Sequence, residues 1–281
     1  MSFFGRRAAL GKGPRSGLTA VMEAVFQTRL PDDMRQPRAL PGVQPARGPW
    51  LCVDEAYAGQ MARREALLSA RRDEVLWSRP EAFEPARELL DHVLDMLPGL
   101  GFSDVDGCVQ CPDGRRVALR RDEPLQTLGR LVQCDFCLLD RGVEGAHVLQ
   151  GAVLCFPARW RLDEKAGRPL TAIHDPVAEY DDRIAVRVQR LFDGVRPDRP
   201  LWRFNRLWYD DPELFQPRSV HAPRRTGAEA GARAFLRSER QTILRLPRSS
   251  WVVFAIHTFV LRAADVSLVG PQGTPVHPAT P

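Results

Sequence analysis

The stretch SWVVFAIHTFVL runs from Ser250 to Leu261 and is the most apolar segment of the chain. Valine, isoleucine, phenylalanine and threonine fill it, the residue types that pack best on a pleated surface. A run this apolar suits a strand covered on both faces, so it is expected at the centre of a sheet. His257, inside it, reads as a strand residue that is either packed or facing solvent.

Outward from that strand the C-terminal two thirds of the chain keep the same texture. ERQTILRLP (239–247), LWRFNRLWYD (201–210), DFCLLD (135–140) and HVLQGAVLCFP (147–157) read as strands. CVQCPDGRRVALR (108–120) reads as two short strands around a Pro-Asp-Gly turn. Helical spacing governs the region before residue 100. MARREALLSARRDEVL is one helix, and SRPEAFEPARELLDHVLDMLPGLG holds another. In the latter Phe83, Ala86, Leu90, Val93, Leu94 and Leu97 recur on one face. Ser78 and Pro80 mark its start and Pro98-Gly99 its stop. His92 on that helix reads as a surface or boundary residue. EPLQTLGRLVQ is a short helix, and AEYDDRIAVRVQRLFDGV a longer one with Ile184, Val188 and Leu191 inward. Helices first and a mostly antiparallel sheet afterwards define an α+β fold. Short linkers favour one integrated domain over residues 46–268. Before it lies a basic, proline-rich leader (1–45), expected to be mobile, and after it a Pro/Gly tail (269–281).

The chain has 281 residues, 44% hydrophobic and 27% charged, an ordinary globular mixture. It holds no apolar run long enough to span a bilayer and no secretory signal at its start, so a cytoplasmic location and no membrane partner are expected. The formal charge is +5, and every basic residue except Lys12 and Lys165 is an arginine. These arginines are interleaved with 35 acidic residues. That pattern fits solvated faces with internal ion pairs, and no nucleic-acid partner is expected. Six cysteines in such a chain do not suggest disulfides. Two C-x-x-C pairs, Cys108/Cys111 and Cys134/Cys137, raise the question of a four-thiolate zinc site. The first pair has a turn to work with. The second lies in strand-like sequence, where residues three apart point to opposite faces. Nucleotide-binding glycine loops, the G-x-S-x-G elbow and H-E-x-x-H are all absent.

FPARWRLDEKAGRPLTAIHDPV (156–177) sets His174 between Pro169 and Pro176, in what reads as a stiff loop. Arg159, Trp160, Arg161, Lys165 and Arg168 crowd the approach to it. An imidazole flanked by aromatic and cationic side chains suits an iron porphyrin, nitrogen to metal and cations to propionates. An ordinary loop histidine looks the same. His147 and His221 have no distinctive setting and stand as competing ligands. FLRSERQTILRLP (235–247) sets Arg237, Glu239, Arg240 and Arg245 in strand-like sequence. That is either a charged strand edge that resists mispairing or an arginine clamp for an anion.

The order VQCDFCLL (132–139), VLCFPARWRLDEKAGRPLTAIHDPV (153–177), LWRFNRLWYDDPELFQP (201–217) and FLRSERQTILRLP resembles the haem-dependent oxidative N-demethylase family. Trp50, Asp54, Tyr57 and the helices after them extend the resemblance, which covers roughly residues 45–265. It implies a PAS-like antiparallel sheet with N-terminal helical additions, holding haem b. Dioxygen would be activated at iron and a methyl group removed from a small amine as formaldehyde. Electrons would come from NADPH through separate flavin and iron–sulfur reductase subunits. His174 matches the family's I-H-x-P-V segment and is expected to be the axial iron ligand. Arg159, Trp160, Lys165, Arg237 and Arg240 are the expected cofactor contacts. Two rival readings are a haem-binding sensor or carrier without turnover and a zinc-stabilised interaction protein. Three positions depart from the family pattern: Cys134 replaces a glutamate, Arg206 a tryptophan, and His257 an arginine. If the missing glutamate holds the amine, the substrate differs or the reaction is lost.

Overall fold

The computed structural model describes residues 25–35, 42–142, 145–174, 182–222, 234–266, 268–269 and 275–276. Its helices are α1 (Tyr57–Ala70), α2 (Arg72–Val75), α3 (Phe83–Leu94), α4 (Pro124–Leu131), α5 (Leu162–Lys165), α6 (Leu170–His174) and α7 (Asp182–Gly194). Its main strands are β1 (Gln44–Pro45), β2 (Leu76–Ser78), β6 (Asp135–Arg141), β7 (His147–Val153), β8 (Leu201–Tyr209), β9 (Phe235–Arg245) and β10 (Val252–Arg262). They form one seven-stranded sheet in the order β1-β8-β9-β10-β6-β7-β2, and every pairing is antiparallel. The strands β3 (Ser103–Val105), β4 (Cys108–Gln110) and β5 (Arg116–Ala118) make a separate small sheet. The α+β expectation holds, and β10 lies in the middle of the large sheet as its apolar sequence requires. The turn between β4 and β5 closes through Gly114 N–H to the Cys111 carbonyl (3.0 Å), with Gly114 at φ +86°. That backbone region favours glycine, which is why Pro-Asp-Gly reads correctly as a turn.

The two long helices before residue 100 follow from burial stripes. Ahead of α1, Asp54 Oδ1 accepts the Ala56 N–H at 3.0 Å and the Asp54 carbonyl accepts the Tyr57 N–H at 3.1 Å. This side-chain turn opens the helix. Met61, Arg64, Leu67 and Leu68 then face inward. On α3, Ala86, Leu89, Leu90 and Val93 are buried. Phe83 was expected on that face but is exposed, its ring covered by the Arg87 guanidinium at 5.8 Å. Val188 of α7 packs against the apolar cluster containing Phe192, whereas the side chain of Ile184 lies outside the described residues.

Alternation along the strands divides the sheet into two faces. Phe254 and Ile256 of β10, Ile243 of β9, Leu201 of β8 and Cys137 of β6 share one face, covered by Leu162, Leu170, Ile173 and Phe192. Val253 and Ala255 of β10, Leu244 of β9 and Phe136 of β6 share the other, covered by α1, α3 and α4. Cys134 and Cys137 belong to these two different clusters, so they cannot converge on one metal. No helix among the described residues is long and apolar enough to cross a membrane.

Two expectations are corrected. The leader expected through residue 45 is in part packed: Val25, Gln27, Leu30 and Met34 are buried. Gln27 exchanges hydrogen bonds with Val260 on β10, and Gln44–Pro45 pair with β8. Apolar side chains spaced through 25–35 cover the sheet near Trp202 and Phe259. Residues 1–24 lie outside the described residues. The segment before His174 is helical, not a stiff loop. Pro169 precedes α6 and its carbonyl accepts the Ile173 N–H at 3.0 Å, so the proline starts a helix.

Candidate functional site

The registers of β8, β9 and β10 assemble a polar patch in the middle of the sheet. Asn205 pairs with Glu239, which pairs with Thr258; Arg203 pairs with Gln241, and Leu207 with Arg237. Directly paired residues share a face in an antiparallel sheet. Arg203, Asn205, Tyr209, Arg237, Glu239, Gln241 and Thr258 therefore project from the same face as Ile243 and Ile256. At one border of this patch stands the cluster carrying Leu170 and Ile173 of α6. At the other stand Phe156 and Leu214, whose carbonyls accept Arg237 Nη2 (2.5 Å) and Nη1 (2.9 Å).

Within the patch, Asn205 Nδ2 and Gln241 Nε2 donate to Glu239 Oε2 at 2.9 and 3.0 Å, and Arg237 Nη2 donates to Glu239 Oε1 at 3.4 Å. Glu239 thus balances Arg237 and leaves Arg203 without a close counter-charge. Burial works against the Arg203 charge, with Glu239 a more distant support. Four buried polar atoms here have no hydrogen-bond partner among the described residues: Arg203 Nε, Arg237 Nε, Tyr209 Oη and Thr258 Oγ1. Buried polar groups are ordinarily satisfied, so four unpartnered atoms on one sheet face leave hydrogen-bonding capacity that water or a polar ligand would fill. The Tyr209 phenol is pushed up by burial and kept protonated, a donor in waiting. Arg159 lies across the Tyr209 ring at 4.6 Å from a left-handed backbone position (φ 63°), which costs a non-glycine residue conformational energy.

The residues singled out from sequence divide as follows. Arg237 lies in the patch and Arg159 at its rim. Lys165 Nζ donates to the Ile173 carbonyl at 2.9 Å and lies 4.8 Å from the Trp160 ring centroid. Both therefore adjoin the last turn of α6, on the same sheet face. Burial lowers the Lys165 amine to about 8. His174 ends α6 on this face, and its side chain lies outside the described residues. Arg240 is the exception. Three residues from Arg237 in a strand, it projects from the opposite face, stacked on Trp202 at 4.1 Å and paired with Asp33 at 3.3 Å. Arg237 and Arg240 cannot clamp one anion from a shared face. Nor is β9 a strand edge: it lies between β8 and β10. Of the four charges on that strand, Arg237 and Glu239 belong to the patch itself. Arg245 instead binds the Phe192 and Val195 carbonyls at the end of α7.

A second polar cluster occupies the opposite face and was not foreseen. His257 is buried, and its Nε2 bonds Asp54 Oδ2 at 2.9 Å. Asp54 also accepts from Gln133 Nε2 (2.8 Å) and Gln27 Nε2 (2.9 Å), and Gln133 Nε2 donates to Gln60 Oε1 at 3.0 Å. Burial alone would raise Asp54; the His257 hydrogen bond and charge with both glutamines bring it to about 2. Burial likewise disfavours the His257 charge, but Cys52, Asp54 and Cys134 hold its pKa well above the ordinary value. No sequence signal near His257 announced this, because its partners lie more than a hundred residues away.

Among other histidines, His147 is buried beside Gln189 (2.9 Å), and desolvation lowers its pKa. His92 accepts from Trp50 Nε1 at 3.4 Å. His221 is exposed, with no partner for its ring among the described residues. Across residues 43–274 the chain matches the model of a protein family described as haem-dependent oxidative N-demethylase, alpha subunit-like.

Proposed function

We propose a function that proceeds from one premise: the chain belongs to the haem-dependent oxidative N-demethylase alpha-subunit-like family. Our reading is that it acts as the haem-bearing subunit of an oxidase for a small methylated amine. The observation that carries it is the polar patch, with two guanidinium Nε atoms, a phenol and a hydroxyl buried without partners among the described residues. The patch faces the side of the sheet on which α6 ends at His174. The residues present fit haem. Arg203, Arg159 and Lys165 suit two propionates, and Tyr209 and Thr258 can donate to them or to a polar ligand. His174 would hold the iron, and Phe254, Ile256 and Ile243 offer an apolar floor.

Haem b, when bound, supplies an iron at which dioxygen is reduced while an N-methyl group is oxidised and released as formaldehyde. The chain's own residues do the rest. Lys165 ties down the carbonyl of Ile173, next to the ligand histidine, and so fixes the angle of the helix end. Glu239, held by Asn205 and Gln241, neutralises Arg237 and leaves Arg203 the charge that faces an anion. The apolar cluster beside α6 excludes water from that border. Two electrons per turnover come, in this reading, from a partner reductase with flavin and iron–sulfur centres drawing on NADPH.

Haem titration of the purified protein, followed by absorbance before and after reduction, tests the reading. Wild type takes up one equivalent with a strong Soret band. His174→Ala loses or shifts it, and His257→Ala, on the far face, retains it. Loss with His147→Ala or His221→Ala alone, or no uptake by folded wild type, overturns the assignment. Formaldehyde release from a dimethylated amine, given reductase and NADPH, then tests turnover.

A further inference from the structure

Outside the patch, two thiols share one imidazole nitrogen. Cys52 Sγ stands 3.5 Å and Cys134 Sγ 3.9 Å from His257 Nδ1, while Nε2 on the other side of the ring is held by Asp54 at 2.9 Å. A base oriented by a carboxylate and directed at a thiol is the arrangement that activates cysteine nucleophiles. The thiols differ in access. Cys52 is partly exposed, in the segment leading into α1, whereas Cys134 is buried at the entry to β6. The titratable groups facing the ring are Asp54 and the two thiols, with Arg64 beyond Cys134. An accessible, base-paired thiol beside a buried second thiol is the layout of a peroxide-sensitive pair.

We propose that Cys52 and Cys134 form an oxidisable dithiol site, with Cys52 the attacking thiol, Cys134 the resolving thiol, and hydrogen peroxide or a small hydroperoxide the oxidant. His257 and Cys52 form an imidazolium–thiolate pair, the imidazolium holding the proton that Cys52 gives up, and the thiolate attacks a peroxide oxygen. The sulfur–oxygen bond forms and the oxygen–oxygen bond breaks. The departing hydroxide leaves as water with the proton from His257, and Cys52 is a sulfenic acid. The freed Nδ1 then takes the Cys134 proton. Cys134 attacks the Cys52 sulfur, the sulfur–sulfur bond forms, the sulfur–oxygen bond breaks, and a second water departs with that proton. Two thiols and one hydrogen peroxide give one disulfide and two waters. One nitrogen serves both steps because both sulfurs lie within reach of it. The product ties the segment before α1 to the start of β6, next to the glutamine network around Asp54. None of this requires haem: the two sites stand on opposite faces of the sheet.

The test uses the full chain at neutral pH, treated with a few equivalents of hydrogen peroxide and mapped by non-reducing peptide mass spectrometry. The expected product is a Cys52–Cys134 disulfide, 2 Da lighter and reversed by dithiothreitol, formed at least tenfold faster than any oxidation of Cys108, the other partly exposed thiol. With Cys134→Ser, the sulfenic acid persists on Cys52 and is trapped by dimedone. With Cys52→Ser, neither product forms. The wild-type comparison with Cys108 stands even if a variant fails to fold. Oxidation of Cys52 no faster than Cys108, or a disulfide linking other cysteines, overturns the proposal.

Discussion

Replacing Asp54 with asparagine removes the counter-charge of a buried imidazole while keeping the size of the side chain. Asp54 is lowered from 3.8 to about 2 in the fold. A shift of that size corresponds to about 2.5 kcal/mol of stability from the ionised carboxylate. The same attraction raises His257, so the pair is counted once. In the variant His257 stays buried and must give up its proton, and breaking a buried pair costs roughly 3 kcal/mol or more. The pH dependence has a definite sign on each side. Asp54 is depressed, so its contribution is complete above the unfolded value of 3.8 and is lost as pH falls toward 2. His257 is raised, so its contribution is complete below the unfolded value of 6.5 and is lost as pH rises through its folded value. Urea unfolding of wild type and Asp54→Asn should therefore differ most on a plateau between these two unfolded values, by about 3 kcal/mol. The gap should narrow at pH 3 and again well above neutrality. A difference that is flat from pH 3 to pH 6, or below about 0.5 kcal/mol on the plateau, refutes a charged Asp54–His257 pair.

Arg64 and Asp135 are fully buried partners at 2.6 Å, so Arg64→Met should cost roughly 3–5 kcal/mol in urea unfolding, with much of that recovered in Arg64→Met/Asp135→Leu. A Cβ on Gly129 would meet Val153 Cγ2 at 2.8 Å and Leu68 Cδ1 at 3.1 Å. Gly129→Ala should therefore destabilise by about 1–3 kcal/mol, and Val153→Ala should relieve part of it. Arg203 has no partner among the described residues and is disfavoured by burial. Arg203→Leu should leave the urea midpoint of the haem-free protein unchanged or raised while weakening haem uptake about tenfold, as the loss of one charge-assisted contact predicts.

What sequence could show was set by the range of the forces involved. The central place of β10, the Pro-Asp-Gly turn and the α3 stripe are local patterns, carried by the residues that form them. The patch is also periodic, with Arg203 and Asn205 on β8 and Arg237, Glu239 and Gln241 on β9 at alternate positions. Period two in a charged segment nonetheless reads either as a strand edge or as an arginine clamp, because strand order is decided by pairing with remote segments. The same alternation that separated Cys134 from Cys137 should have separated Arg237 from Arg240. Pro169 and Pro176 suggested stiffness around His174, but Pro169 is compatible with a helix start, and four residues sufficed for a turn. His257 carried no signal at all: a histidine in an apolar strand gains its charge from Asp54 and Cys52, brought to it by folding.

The faces of the sheet also decide what the departures from the family pattern mean. The resemblance sets a glutamate at the position of Cys134 and an arginine at that of His257; the two side chains stand 3.9 Å apart here, so both departures fall in one local cluster. Arg206, where the resemblance sets a tryptophan, pairs with Ser238 and donates to the Arg35 carbonyl at 3.2 Å, again on the face away from the patch. All three altered positions thus lie across the sheet from Arg203, Tyr209, Arg237 and Thr258. A glutamate at position 134 would point into the Asp54 network, not toward a ligand on the patch. Its absence bears on the redox and proton chemistry of the far side, and it gives no reason to expect loss of the site where the orphaned polar atoms gather.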